Sequence, residues 1–177
     1  MISGNDGSGK STYIKVHFKG SKSRHFYDSR IRRLIILFFV RKHKNTSGRL
    51  KRKNITSMPV FASIILLFYH FIKAISIGIT SARVKNLVYD RGFVDECVSL
   101  SVLRGIRYNP NWLIIFYKLS GVENIIYLDA DSRLKFERVV DKDIEWNLYL
   151  EKEDEYDRLI SVLMEYGLNI QYIRNDE

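Results

Sequence analysis

Gly4-Asn5-Asp6-Gly7-Ser8-Gly9-Lys10-Ser11-Thr12 satisfies the pattern G-x-x-x-x-G-K-[ST]. Glycines at 4, 7 and 9 let the backbone curl until successive N–H groups point inward and form a nest for an anion. A helix expected to begin near Lys10 brings its positive dipole end to the same place. Lys10 then reaches the β- and γ-phosphates of a bound triphosphate, and the Ser11 hydroxyl ligates Mg²⁺. Asp6, Ser8 and Thr12 complete the candidate binding loop. With glycine near ~7% of residues, two glycines plus Lys and Ser/Thr at fixed positions should arise by chance in fewer than about one chain in a hundred of this length. A glycine-rich surface turn is therefore the weaker explanation.

A phosphate-cradling loop leaves the carboxyl end of a central buried strand, yet only Met1-Ile2-Ser3 precede Gly4. That is fewer than the ~5–6 residues of a usual strand. The expectation is a stub of a central strand or a chain cut short at its start.

Further along, Asn86–Asp90 (NLVYD), Asn124–Asp129 (NIIYLD) and Asn169–Ile173 (NIQYI) read as buried strands. Ser132–Val140 and Leu148–Met164 read as helices with charge on one face, and Gly167 is a helix stop. Short β-rich runs followed by helical patterns predict a parallel sheet with crossover helices. The expected class is α/β, three layers α/β/α around a short parallel sheet. Asp90 at the end of its strand is placed to hold Mg²⁺, directly or through water. Arg91 beside it offers a planar donor fork for an acceptor phosphate.

The length of 177 residues suits one domain spanning the whole chain. Apolar residues at 46% and charged ones at 28% exclude low-complexity disorder and collagen, and no internal period points to a repeat array. A single cysteine, Cys97, forms no internal disulfide, so a reducing, cytoplasmic setting is expected. The formal charge of +9 is unevenly placed. Residues 129–177 hold 14 of the 20 acidic groups and 7 of the 29 basic ones. A strongly basic body suits a polyanionic ligand.

No signal peptide is visible before the glycine-rich loop. Leu34–Val40 (LIILFFV) is far too short to span a membrane, and Tyr69, His70 and Lys73 interrupt Pro59–Ile79. Both blocks read as buried core helix, with Pro59 near a first turn. Arg41–Thr56 carries seven Lys/Arg plus His43 and reads as a solvated loop. It lacks the interleaved aromatics that support base stacking, so the nucleic-acid signal is weak. A membrane-apposed protein using Arg41–Lys53 and the apolar block is an alternative, but it leaves the glycine-rich loop unexplained.

The loop core Asp6–Thr12 resembles that of thymidylate kinases and their relatives among P-loop nucleoside and nucleotide kinases. The order of later segments fits as well. Leu87–Arg91 resembles the family's strand ending in Asp-Arg, and Ile125–Asp129 its Tyr-Leu-Asp strand. Leu134–Arg138 is similar to the helix leading into the lid, and Tyr149–Leu159 to the helix after it. The resemblance implies a P-loop NTPase fold and ATP- and Mg²⁺-dependent phosphoryl transfer to a second phosphate or hydroxyl held opposite, with a nucleoside monophosphate, thymidylate nearest, as the expected small-molecule acceptor. It implies Lys10 and Ser11 at the donor, Asp90 near the metal, Arg91 on the acceptor phosphate, Asp6 near the acceptor sugar and Arg138 among the catalytic cations. A lid over about 139–147 would exclude water. A homodimer is left open.

Departures from the family pattern are specific. Its Asp-Arg-Tyr reads Asp90-Arg91-Gly92, and the lid stretch VVDKDIEWN contains no arginine, with Lys142 its only cation. The Arg-Glu-Pro acceptor motif is absent, and the chain stops at Arg174–Glu177, before the family's adenine-contacting loop. These departures motivate the alternative of a degenerate, nucleotide-binding protein without turnover. His17, His25, His43 and His70 lack metal-site spacing and read as ordinary histidines. Glu151–Asp157 reads as a solvated helix face, and Trp112 and Trp146 as packing residues.

Overall fold

Side-chain alternation along two strands sorts the apolar residues into layers. In β3 (Leu87–Asp90) and β4 (Ile125–Asp129), Tyr89, Ile125 and Tyr127 join one buried cluster. Val88 and Leu128 join Ile2 in another. Neighbours on a strand point to opposite faces, so the period of two puts these sets on the two sides of one sheet.

The computed structural model describes residues 1–26, 60–104, 109–139 and 145–175. Three more strands complete the sheet: β1 (Ile2–Ser3), β2 (Lys22–His25) and β5 (Ile170–Arg174). The order is β2-β3-β1-β4-β5, and every pairing is parallel. Helix α1 (Lys10–His17) lies against one face, where Tyr13, Ile14 and Phe18 pack on the smaller cluster. The larger cluster on the other face gathers residues of α2 (Val60–Arg83), α3 (Phe93–Arg104), α4 (Pro110–Ser120) and α6 (Trp146–Glu165). Helix α5 (Ser132–Arg138) joins β4 towards α6. This is the three-layer α/β fold expected of a P-loop NTPase.

The central strand β1 has two residues, Ile2 and Ser3. Its two residues are buried on both faces and stitched on both edges, with Ile126 N donating to Met1 O at 2.8 Å and Arg91 N to Ile2 O at 2.8 Å. Local signals set several helix ends. Asp131 accepts from Arg133 N and Leu134 N at the start of α5. After α6, Gly167 takes φ 76°, and its N–H and that of Leu168 bond back to Met164 O and Leu163 O.

One expectation needs correction, and one strand was not foreseen. The apolar block after Pro59 forms one helix, but only its inner side is buried, through Leu66, Ala74 and Ile77. Phe68 is 66% exposed, and Ile64, Ile72 and Ile79 are also open to solvent. By length and composition, Ile64–Arg83 could cross a membrane. Strand β2 had no sequence expectation, because KSRH is an exposed edge strand with no apolar alternation. The block at 34–40, the basic stretch at 41–56 and most of the lid at 139–147 lie outside the described residues.

Candidate active site

Glycine is required at the loop for two separate reasons. Gly4 and Gly7 take φ 148° and 85°, conformations that L side chains rarely adopt. A Cβ at Gly4 would also run into the Leu128 carbonyl of β4, and one at Gly7 into the Lys135 carbonyl of α5. The loop is thus pressed on the end of the sheet and on α5 at once. Gly9 forms the N-cap of α1 with no side-chain cap, so the first N–H groups of the helix remain for a ligand anion.

Lys10 folds into its own loop. Its buried ammonium donates to Gly4 O at 2.6 Å and Asn5 O at 2.7 Å. Burial pulls its pKa below the ordinary lysine value, with the charge of Asp95 as the main opposing influence. Ser11 and Thr12 are exposed on the first turn of α1.

Opposite the loop, β3 ends at Asp90 and the chain turns sharply. Arg91 has φ 73°, a left-handed conformation uncommon for a side chain of this size. Its guanidinium Nη2 donates to Asp6 Oδ1 at 2.9 Å. From α6, Lys152 Nζ reaches Asp6 Oδ2 at 3.3 Å, and Tyr149 OH donates to Asp6 O at 2.7 Å. Burial alone would raise the Asp6 carboxyl, but the charges of Lys152, Arg91 and Lys10 outweigh it and hold the pKa at about 2. Asp90 Oδ2 lies 3.3 Å from His25 Nε2.

Asp95, in the first turn of α3, ties these parts together. It is buried, and it accepts from Ser3 Oγ and Gly92 N at 2.7 Å, Tyr156 OH at 3.0 Å and Gly4 N at 3.3 Å. Burial pushes its carboxyl up, against the pull of Lys10 and these donors. Glycine at 92 also has a local reason, since a Cβ there would press on the Met1 side chain and Ser3 Oγ.

Behind the loop, the buried Lys135 ammonium lies 2.5 Å from Asp129 Oδ1 and also contacts Glu153. Burial would raise Asp129, but hydrogen bonds from Lys135 and Tyr172 hold it below the usual carboxylate range. Asn175 Nδ2 donates to Ser8 O at 3.2 Å.

A cavity of about 290 Å³ opens beside the loop, lined by Asp6, His25, Arg91, Asp95, Lys152 and Tyr156 among others. A larger, mostly apolar cavity of about 670 Å³ lies between β2 and α2, with Phe26, Phe68, Tyr69 and Tyr89 in its walls. His25 lines both cavities.

The structure therefore brings Asp6, Lys10 and Arg91 together, with Asp90 close enough to act on the Lys10 charge. Arg138 is not among the residues lining the polar cavity. Its guanidinium instead lies 3.4 Å from Asn175 O. His25, expected to be ordinary, sits on a cavity wall. The acidic run is not uniformly solvated: Glu155 is buried and bonded to Arg158, and Glu153 contacts Lys135. Asp95 and Lys152 carried no sequence expectation. The available signals were a carboxylate three residues after Gly92 at a helix start, and a lone cation inside Glu151–Asp157.

Ser11 and Asp90 offer a hydroxyl and a carboxylate oxygen, the hard donor set that suits Mg²⁺ completed by phosphate and water. Among the described residues, no group of three or more His, Cys, Asp or Glu side chains is placed to hold a metal by itself.

Three solved structures of deoxyadenosine kinase from M. mycoides share the fold. The one with products dCMP and a flexible dCDP bound has a TM-score of 0.55 at 14% identity, covering 97% of this chain and 88% of that one. The one with bound dCTP gives 0.52 at 16% identity, covering 99% and 88%. The one with bound dATP gives 0.53 at 15%, covering 97% and 88%. No protein-family model and no curated protein sequence matches the chain. At these identities the likeness is one of fold alone.

Proposed function

We propose that the chain is an ATP- and Mg²⁺-dependent kinase that transfers the γ-phosphoryl group to a nucleoside monophosphate, with thymidylate the nearest candidate on motif resemblance. The observation that carries this reading is the position of Asp6. It belongs to the phosphate loop and also lines the 290 Å³ cavity, so donor and acceptor spaces share a wall.

In this reading the loop N–H groups and the start of α1 hold the β- and γ-phosphates. Lys10 exchanges its loop carbonyls for phosphate oxygens. Ser11 and Asp90 would hold Mg²⁺, which neutralises charge on the phosphoryl oxygens. Arg91 grips the acceptor phosphate, and one of that phosphate's oxygens bonds to the γ-phosphorus as the bond to the ADP oxygen breaks. Because His25 lines both cavities, an acceptor with its phosphate at Arg91 can extend its base towards the apolar cavity.

A coupled assay with a panel of nucleoside monophosphates and deoxynucleosides tests the reading, and no ADP above background with any acceptor removes it. The degenerate alternative is favoured by the lid stretch without arginine. It predicts a parent that binds ATP without turnover and a Lys10→Ala variant that no longer binds.

A second proposal concerns the outer face of α2 and α4, where Phe68, Ile72, Trp112 and Ile115 are exposed. Large exposed apolar side chains mark an interface where they cluster, and a second copy of the chain would cover them two-fold symmetrically. Sedimentation of the parent and a Phe68→Glu variant tests it, with a concentration-dependent dimer expected only for the parent. Binding to anionic vesicles by a monomeric parent would favour the membrane-apposed reading instead.

A further inference from the structure

We infer that Arg91 and Lys152 form a two-cation site for the acceptor's phosphate, with the Asp6 carboxylate holding its place in the ligand-free protein. The inference rests on the kinase reading and deepens it: Lys152, which that reading leaves unused, joins Arg91 in setting the preference for a phosphorylated over a neutral nucleoside.

Three observations lead there. Asp6 gives one oxygen to each cation, Oδ1 to Arg91 and Oδ2 to Lys152. A carboxylate gripped by two oxygens between a guanidinium and an ammonium presents the pattern that a phosphate would present. Second, both cations line the cavity, and Lys152 is only 11% exposed, so its charge is directed inward rather than into solvent. Third, Asp95 on the same wall accepts hydrogen bonds from Ser3, Gly4, Gly92 and Tyr156, so its charge is already met by fixed donors.

An entering phosphate meets the Arg91 guanidinium fork and the Lys152 ammonium, both of them donor-only groups. Asp6 is then released, and its carboxylate can accept from an acceptor hydroxyl. A neutral nucleoside leaves the cations paired with Asp6 and gains nothing from them.

The test is calorimetric titration, without ATP, of a deoxynucleoside monophosphate and its parent deoxynucleoside into the full chain. Steady-state kinetics on the same pair accompany it. The wild type should bind the monophosphate at least about tenfold more tightly, with an affinity that falls as salt rises. Lys152→Met should erase most of that difference and raise the acceptor KM about tenfold or more while leaving the KM for ATP unchanged. Lys152→Arg should retain the preference, and Lys85→Met, at the opposite end of β3, should not alter it. Equal binding of the two ligands, or an unchanged monophosphate affinity in a folded Lys152→Met protein, overturns the inference.

The two readings fail separately. Turnover of a neutral nucleoside that is indifferent to Lys152 leaves a kinase and overturns the anion site. Lys152-dependent monophosphate binding without ADP formation supports the anion site and removes the kinase.

Discussion

Ser3 Oγ donates to Asp95 Oδ2 at 2.7 Å, joining the last residue of the two-residue strand β1 to the first turn of α3. Four donors converge on that one buried carboxylate, two of them from backbone at Gly4 and Gly92. Asp95→Ala would strand them all. The expected loss is about 3–5 kcal/mol of unfolding free energy, measured by urea denaturation. Asp95→Asn keeps the shape but turns one acceptor into a donor, and should lose about 1–3 kcal/mol. Equal stability of wild type and Asp95→Ala would mean that the carboxylate does not hold the loop to the sheet.

Lys10 illustrates a group whose partners must change on binding. Lys10→Met removes the ammonium from the loop, and Mg·ATP affinity should fall about 10- to 100-fold, the worth of a charged hydrogen bond or two. Calorimetry with Mg·ATP on folded protein measures this directly, and an unchanged affinity would place the triphosphate elsewhere.

Lys135 has a structural part behind the loop. Lys135→Met leaves Asp129 and Glu153 facing each other without the ammonium that now lies against both. The expected destabilisation is about 3–5 kcal/mol, read by thermal or urea unfolding at pH 7. Lowering the pH should narrow the gap to wild type, because protonation of Asp129 relieves the repulsion.

Asp6 gives a pH dependence of definite sign. Its carboxyl falls to about 2 in the fold from an ordinary value of 3.8. A depressed carboxylate contributes stability above the ordinary value and loses it as pH falls through the folded one. The wild type should therefore be more stable than Asp6→Asn near pH 5, and the difference should shrink between about pH 4 and pH 2. The side chain is 35% exposed, so solvent screening keeps the effect small. A difference that grew on acidification would contradict the pairing with Arg91 and Lys152.

Gly7→Ala adds a methyl where φ is 85° and the Lys135 carbonyl stands in the way. Strain and collision together should lower stability by about 1–3 kcal/mol and weaken Mg·ATP binding through the displaced loop. Unfolding and calorimetry on the same preparation would separate the two effects.

The candidate site was legible in part. The loop from Gly4 to Thr12 could be read in advance because close spacing of glycine, lysine and hydroxyl residues is itself the chemistry. Strands ending at Asp90 and Asp129 and the helices around 132 and 148 also followed from local periodicity and caps. Strand β2 did not, since a polar edge strand carries no pattern, and α2 was judged by its apolar content without the exposure of its outer side.

What escaped the sequence was convergence. Ser3 and Asp95, or Asp6 and Lys152, are far apart along the chain, and nothing local marks them as partners. Residue order alone pointed to the Gly4–Thr12 loop as a candidate phosphate cradle, to an α/β class, and to Lys10, Asp90 and Arg91 as candidate site residues. Folding decided that Asp95 braces the loop and that Lys152 faces Arg91 across Asp6. The parallel sheet aligns the carboxyl ends of β1, β3 and β4 on one edge, and α6 packs back across that edge, so distant side chains meet there.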